Sequence, residues 1–120
     1  MIVSIIVAVA ENWAIGLNND LLWHYPADMR FFMQTTSGHH VLSGRKNYFS
    51  IPAKFRPLKD RTNLVLTRQN DLELDGALKI SSIKEGINKA KKAGESELFI
   101  IGGGEIYKQC LDEGLVDRLY

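Results

Sequence analysis

Residues 98–107, Leu98-Phe99-Ile100-Ile101-Gly102-Gly103-Gly104-Glu105-Ile106-Tyr107, decide the fold by their order. Four apolar residues without alternation read as a strand covered on both faces, as in a parallel sheet. The glycines then allow a tight turn and close backbone approach, and a helix follows to about Asp112. A strand–turn–helix junction of this kind leaves main-chain N–H groups at the helix start, where an anion is stabilised. It is not the spaced-glycine dinucleotide fingerprint, because Tyr107 stands where the third glycine would fall. It is not a P-loop either, since no Gly-Lys-Ser/Thr follows. A tight turn with no ligand is the competing reading.

The same grammar recurs on either side. Met1-Ile2-Val3-Ser4-Ile5-Ile6-Val7-Ala8-Val9-Ala10 is another unalternating, β-branched run, again a strand buried on both faces. It is too short to span a bilayer, and no positive n-region precedes Ala8-Val9-Ala10, which argues against a secretion signal. Residues 11–25 are irregular, with Gly16 and Asn18-Asn19-Asp20, and a loop of that length is more often functional than idle. Pro26 suits a first helical position, and a helix continues to Thr36. Residues 41–43 predict a strand and 45–50 a helix; 52–60 are loop; 62–67 and 77–80 are strands. Residues 82–92 predict a helix opened by Ser82 with Glu85 as its capping-box partner, and Gly94 fits its end. Residues 116–120 begin one more strand.

This alternation predicts one α/β domain, residues 1–120, with a central mostly parallel sheet flanked by helices. Ligands of such sheets bind beyond the carboxyl ends of the strands. The long loop, Gly44-Arg45 and the Gly102 turn would all lie there.

Composition narrows the classes. Fifteen basic and fourteen acidic residues give a formal charge of +1, without the basic surplus of a nucleic-acid binder. With 45% hydrophobic and 24% charged residues the chain resembles an ordinary soluble domain. Its one cysteine, Cys110, cannot form an internal disulfide, which fits a reducing, cytoplasmic setting. His24, His39 and His40 lack metal-ligand spacing, and His39-His40 reads as a loop or strand-edge pair. Lys84, Lys89, Lys91 and Lys92 make a solvated helix face opposite Ile83, Ile87 and Ala90.

Several groups could carry chemistry. Asp28, in a helix's first turn, is accounted for by the helix dipole alone. With Trp23, Met29, Phe31 and Phe32 nearby, it could instead sit in an apolar cleft and bind a flat, hydrogen-bonding heterocycle, although taken alone the dipole reading is the stronger. Gly44-Arg45-Lys46 is unusual, because two cations in a first turn oppose the dipole and a bound phosphate would reverse that penalty. Solvated surface cations are the alternative. Thr67 and Arg68, ending the next strand, could serve the same anion.

Taken together these segments resemble dihydrofolate reductase along nearly the whole chain. The match runs through Ala14-Ile15-Gly16, Trp23, Pro26-Ala27-Asp28, Phe31-Phe32, Gly44-Arg45-Lys46, Ser50-Ile51-Pro52, Arg56-Pro57-Leu58, Arg61-Thr62-Asn63, and Ile101 to Tyr107. The resemblance implies NADPH as cofactor and dihydrofolate as substrate. It makes Asp28 the catalytic carboxylate, with Trp23 holding a water beside it. Ile6, Ala8, Met29, Phe32 and Ile51 would wall the pterin and aminobenzoyl pocket, and Arg61 would pair with the glutamate carboxylate. Arg45, Thr67 and Arg68 would grip the adenosine 2′-phosphate. Ala8, Ile15, Gly16, Gly44, Lys46, Ile101, Gly104, Glu105, Ile106 and Tyr107 would also contact the cofactor. Gly102 and Gly103 would cradle it across a cis peptide, and residues 16–22 would form a lid. No metal, membrane or nucleic-acid partner is implied, and a monomer is expected if the chain is completed.

The pattern departs from the family at Leu22 (often proline), Asn47 (usually threonine), Lys59-Asp60 (commonly Pro-Gly) and Glu105 (basic in some relatives). The family continues past Tyr120 into a threonine that bonds the aspartate and then into antiparallel strands. Two further readings stay open: a reductase of another pterin or pyrimidine on this fold, and a non-catalytic NADPH-binding fragment.

Overall fold

The computed structural model describes residues 1–6, 27–51, 53, 56–68, 74 and 76–120, with the side chains of 27–29 outside that description. Its elements run β1 (Ile2–Ile5), α1 (Ala27–Thr36), β2 (His40–Gly44), α2 (Arg45–Ser50), β3 (Thr62–Leu66), β4 (Leu78–Ile80), α3 (Ile83–Lys92), β5 (Glu97–Gly102), α4 (Gly104–Asp112) and β6 (Arg118–Leu119). The strands form one sheet ordered β4-β3-β2-β5-β1-β6. Every described pair is parallel.

The absence of alternation in β5 has a direct cause. Phe99 and Ile101 point into a cluster with Ile6, Phe32, Val41, Tyr48, Ile51 and Val65, on the α1 and α2 side. Leu98 and Ile100 point the other way, to Val3, Ile5, Leu42, Leu64, Ile83, Ala90, Ile106 and Cys110 beneath α3 and α4. Both faces are dry, so both sets of side chains must be apolar. Helix α4 also buries Cys110, whose thiol is pushed up to about 11, first by burial and then by Glu113. A thiol held protonated in this way is a poor nucleophile.

Helix ends follow the expected chemistry with one variation. Ser82 Oγ accepts from the Glu85 N–H at 3.0 Å. The Glu85 carboxylate, however, reaches back to Ser81, accepting from its N–H at 2.6 Å and its hydroxyl at 2.8 Å. The reciprocal half of the capping box therefore falls one residue early. At the other end Gly94, at φ +82°, donates to Lys91 O while Glu95 N–H donates to Ala90 O, a Schellman closure.

Two expectations change in detail. The last strand is short, Arg118 and Leu119 lying opposite Ser4 and Ile5 of β1, with the Tyr120 N–H donating to Ile5 O at 2.9 Å just beyond it. Just before it Asp117 supplies both partners itself, its carboxylate accepting from Val3 N–H at 2.9 Å and its N–H donating to Val3 O at 2.7 Å. His39 and His40 are more than an edge pair. Their Nδ1 atoms lie 2.8 and 2.7 Å from the two carboxylate oxygens of Glu95, which also accepts the His40 main-chain N–H. This cluster joins the beginnings of β2 and β5, at the opposite end of the sheet from the strands' carboxyl ends. Among the described residues no helix is long and apolar enough to cross a membrane.

Candidate functional site

The carboxyl ends of four adjacent strands open onto one cleft of about 730 Å³. In sheet order its walls are Gly103, Gly104, Glu105, Ile106 and Gln109 after β5; Gly44, Arg45, Lys46 and Asn47 after β2; Leu66, Thr67 and Arg68 after β3; and Ser81 and Ser82 after β4. The parallel register explains the convergence: Gly44 of β2 sits opposite Leu66 of β3, so Arg45 and Thr67 leave neighbouring strands at the same level.

Glycine shapes this cleft by what it omits. A Cβ on Gly44 would lie 3.1 Å from Ile106 Cγ1, so glycine lets α4 close onto the end of β2. A Cβ on Gly103 or Gly104 would meet nothing within 4 Å, leaving their backbone open to a ligand. The Gly102–Gly103 peptide is cis, and Gly102 has φ +121°, a conformation that L side chains rarely adopt. The β2–β5 register shifts here, Leu42 facing Ile100 and Ser43 facing Gly102, so Ile101 is the residue bulged between them. Asn47 Nδ2 donates to its carbonyl at 3.4 Å and ties the two turns together.

Charge in the cleft is unbalanced. Among the described residues, Arg45, Lys46 and Arg68 have no ion-pair partner. Both α2 and α4 begin on a glycine N-cap without a side-chain cap. Cations and uncapped helix starts converging on exposed glycine backbone are suited to a phosphorylated ligand.

Around the corner of the sheet, Ile6, Phe32 and Ile51 come together in one buried cluster with Ile101. Tyr107 extends from α4 to donate its hydroxyl to Ile6 O at 3.0 Å, and burial raises its phenol to about 12. Asp28 and Met29 lie in the first turn of α1, with their side chains outside the description. Ala8, Ile15, Gly16 and Trp23 lie outside the described residues altogether.

Arg61 occupies a second cleft of about 400 Å³, with Met33, Gln34, Ser37, Lys59 and Asp60. Its Nε donates to Thr36 Oγ1 at 2.7 Å, and its two terminal nitrogens donate to Lys59 O and Met33 O. Of its five donors, the two others are one N–H on each terminal nitrogen, with Met33 Sδ a weak contact at 3.8 Å. That is a fork ready for a carboxylate. Burial lowers its pKa from the ordinary value and Asp60 works the other way, yet an arginine in such surroundings stays charged. The loop carrying it is held by buried Asn63, whose side chain exchanges two 3.0 Å hydrogen bonds with the Leu58 main chain.

Sequence reasoning missed Asn47, Leu66, Ser81, Ser82 and Gln109 as lining residues. Ser82 read as a cap and nothing more, although its position immediately after a strand was a signal that it faces the ligand edge. Among the described residues no group of three His, Cys, Asp or Glu could hold a metal.

Comparison with known proteins places the chain in a family. The family model described as dihydrofolate reductase matches residues 2–120. The chain is 40% identical over 118 residues to dihydrofolate reductase of Bacillus subtilis, covering 98% of this chain and 66% of that protein. It is 42% identical to the Haemophilus influenzae enzyme over 120 residues, covering 100% of this chain and 70% of the relative. The chain thus spans about two thirds of the length of these relatives. Among solved structures, Schistosoma mansoni dihydrofolate reductase superposes with a TM-score of 0.73 at 33% identity, covering 99% of this chain and 71% of that one. Enterococcus faecalis dihydrofolate reductase, complexed with NADP(H) and RAB-propyl, gives 0.73 at 26% identity, with 99% and 70% covered.

Proposed function

The chain belongs to the dihydrofolate reductase family, and we propose that it reduces 7,8-dihydrofolate to tetrahydrofolate with NADPH as a cytoplasmic monomer. The observation that carries this reading is the cleft itself: three cations that have no ion-pair partner among the described residues, beside glycine backbone, at the ends of four parallel strands.

The residues present fit the cofactor. Arg45, Thr67 and Arg68 are the groups for a 2′-phosphate, and that phosphate distinguishes NADPH from NADH. Gly44, Lys46, Gly103 and Gly104 are the groups for the pyrophosphate, with Glu105 and Ile106 closing the wall, while Ile101, Gly102 and Tyr107, expected to contact the cofactor, stand behind that lining. Ala8, Ile15 and Gly16 belong to the same site on this reading, with residues 16–22 as its lid. NADPH supplies a hydride to C6 of the pterin when bound there.

The chain's own contribution is orientation, exclusion of water and one acid–base group. Asp28 hydrogen-bonds the pterin's amino group and ring nitrogen, and with a water held by Trp23 promotes protonation at N5. Ile6, Ala8, Met29, Phe32 and Ile51 give the ring an apolar pocket that strengthens the Asp28 contact. Arg61 clamps the glutamate carboxylate and fixes the substrate's register.

Following loss of the nicotinamide absorbance on mixing the chain with NADPH and dihydrofolate tests the reading. Turnover abolished by a tight antifolate is expected. Tight binding of NADPH without turnover would instead favour a cofactor-binding module.

A further inference from the structure

One side chain in the cleft has the wrong sign for an anion site. Glu105, exposed in the first turn of α4, lines the same cleft as Gly103, Gly104, Arg45, Lys46 and Arg68. Its presence is tolerated for a local reason: a carboxylate complements the positive end of a helix that has no side-chain cap. The phosphates of a ligand would compete with it for that end.

The order of strands along the cleft fixes which phosphates feel it. From one end the sequence is the β5 turn with Glu105, the β2 turn with Arg45, the β3 end with Thr67 and Arg68, then Ser81 and Ser82 after β4. On the reading proposed above, the 2′-phosphate sits at Arg45, Thr67 and Arg68, and the nicotinamide lies toward the Ile6–Phe32–Ile51 cluster. The pyrophosphate between them must then cross the ends of β2 and β5, beside Glu105.

We propose that Glu105 is a charge brake on the pyrophosphate position, weakening NADPH and NADH by the same factor and leaving the preference between them untouched. Arg45 and Arg68 set which cofactor binds; Glu105 sets how firmly either is held, and so how readily the spent cofactor leaves. The inference rests on the NADPH reading of the cleft.

The test is fluorescence titration of the wild type and Glu105→Gln with NADPH, NADH and adenosine 2′-monophosphate, at low and high salt. The variant should bind both dinucleotides tighter by about threefold to tenfold at low ionic strength, and the gain should fade toward 1 M salt as the Debye length shrinks to about 3 Å. Glu105→Lys should go further in the same direction. Adenosine 2′-monophosphate, which lacks the pyrophosphate, should bind both proteins equally. Unchanged or weaker dinucleotide binding in Glu105→Gln overturns the proposal, and so does tightening confined to NADPH. Failure of both proteins to bind either dinucleotide overturns the cofactor reading and this inference with it.

Discussion

The Tyr107 hydroxyl donates to the main-chain carbonyl of Ile6 across 3.0 Å, linking α4 to the residue just after β1. The same ring supports the Gly102 turn, where a Cβ would stand 3.1 Å from the Tyr107 oxygen. One side chain therefore ties the glycine turn to the buried apolar cluster around Ile6. Tyr107→Phe keeps the ring and loses the bond, and should cost about 1 kcal/mol in urea unfolding. An unfolded phenol ionises near 10 and this one near about 12, so its contribution is intact below pH 10 and declines as pH rises toward 12. The difference between wild type and Tyr107→Phe should narrow across that window.

Glu95 predicts the acid limit of stability. Burial would raise its pKa, but hydrogen bonds from His39, His40 and the His40 and Glu97 main chain outweigh that and bring it down to about 2. A depressed carboxylate stabilises the fold above its unfolded value near 4.5, and the contribution is lost as pH falls from there to about 2. The loss should be on the order of 3 kcal/mol by urea unfolding at stepped pH. Glu95→Ala should remove most of this acid dependence.

Gly86 lies where α3 crosses the sheet, and a Cβ there would stand 2.6 Å from Leu42 Cδ1 and 2.7 Å from Ile80 Cδ1. Both neighbours are buried, so neither can move aside freely. Gly86→Ala gains about 1 kcal/mol of helix propensity but should lose roughly 1–3 kcal/mol to overpacking. Net destabilisation on thermal unfolding is expected; a stabilised variant would show the core to be looser than its geometry.

On the proposed reading, kinetics would separate the roles of Asp28 and Arg61. Asp28→Asn should lower turnover at neutral pH by about two orders of magnitude or more and partly recover with an already protonated substrate. Equal loss at every pH would count against its acid–base role. Arg61→Lys keeps the charge and loses the fork, so it should raise KM for dihydrofolate about tenfold or more with kcat less affected. It should also destabilise the fold, since the guanidinium bonds Thr36, Lys59 and Met33 in the free protein.

Much of this was legible in the sequence, and the reasons are physical. Unalternating runs such as Leu98 to Ile101 announce a sheet covered on both faces, and each glycine turn after a strand marks the ligand edge. The helix over residues 45–50 was placed at its observed bounds because Gly44 and Pro52 punctuate it. What escaped depends on contacts across the chain. Nothing near His39-His40 points to Glu95, fifty-five residues away from His40. Ser81 and Ser82 join the cleft only because β4 lies beside β3 in the sheet, an order that local periodicity does not encode.

Titrating wild type and Arg68→Ala with NADPH and NADH tests the cleft as an NADPH site most directly. The wild type should bind NADPH at least tenfold tighter than NADH at low salt, and Arg68→Ala should lose most of that preference while its NADH affinity barely changes. Equal affinity of the wild type for the two cofactors, or a preference that survives Arg68→Ala intact, would contradict it.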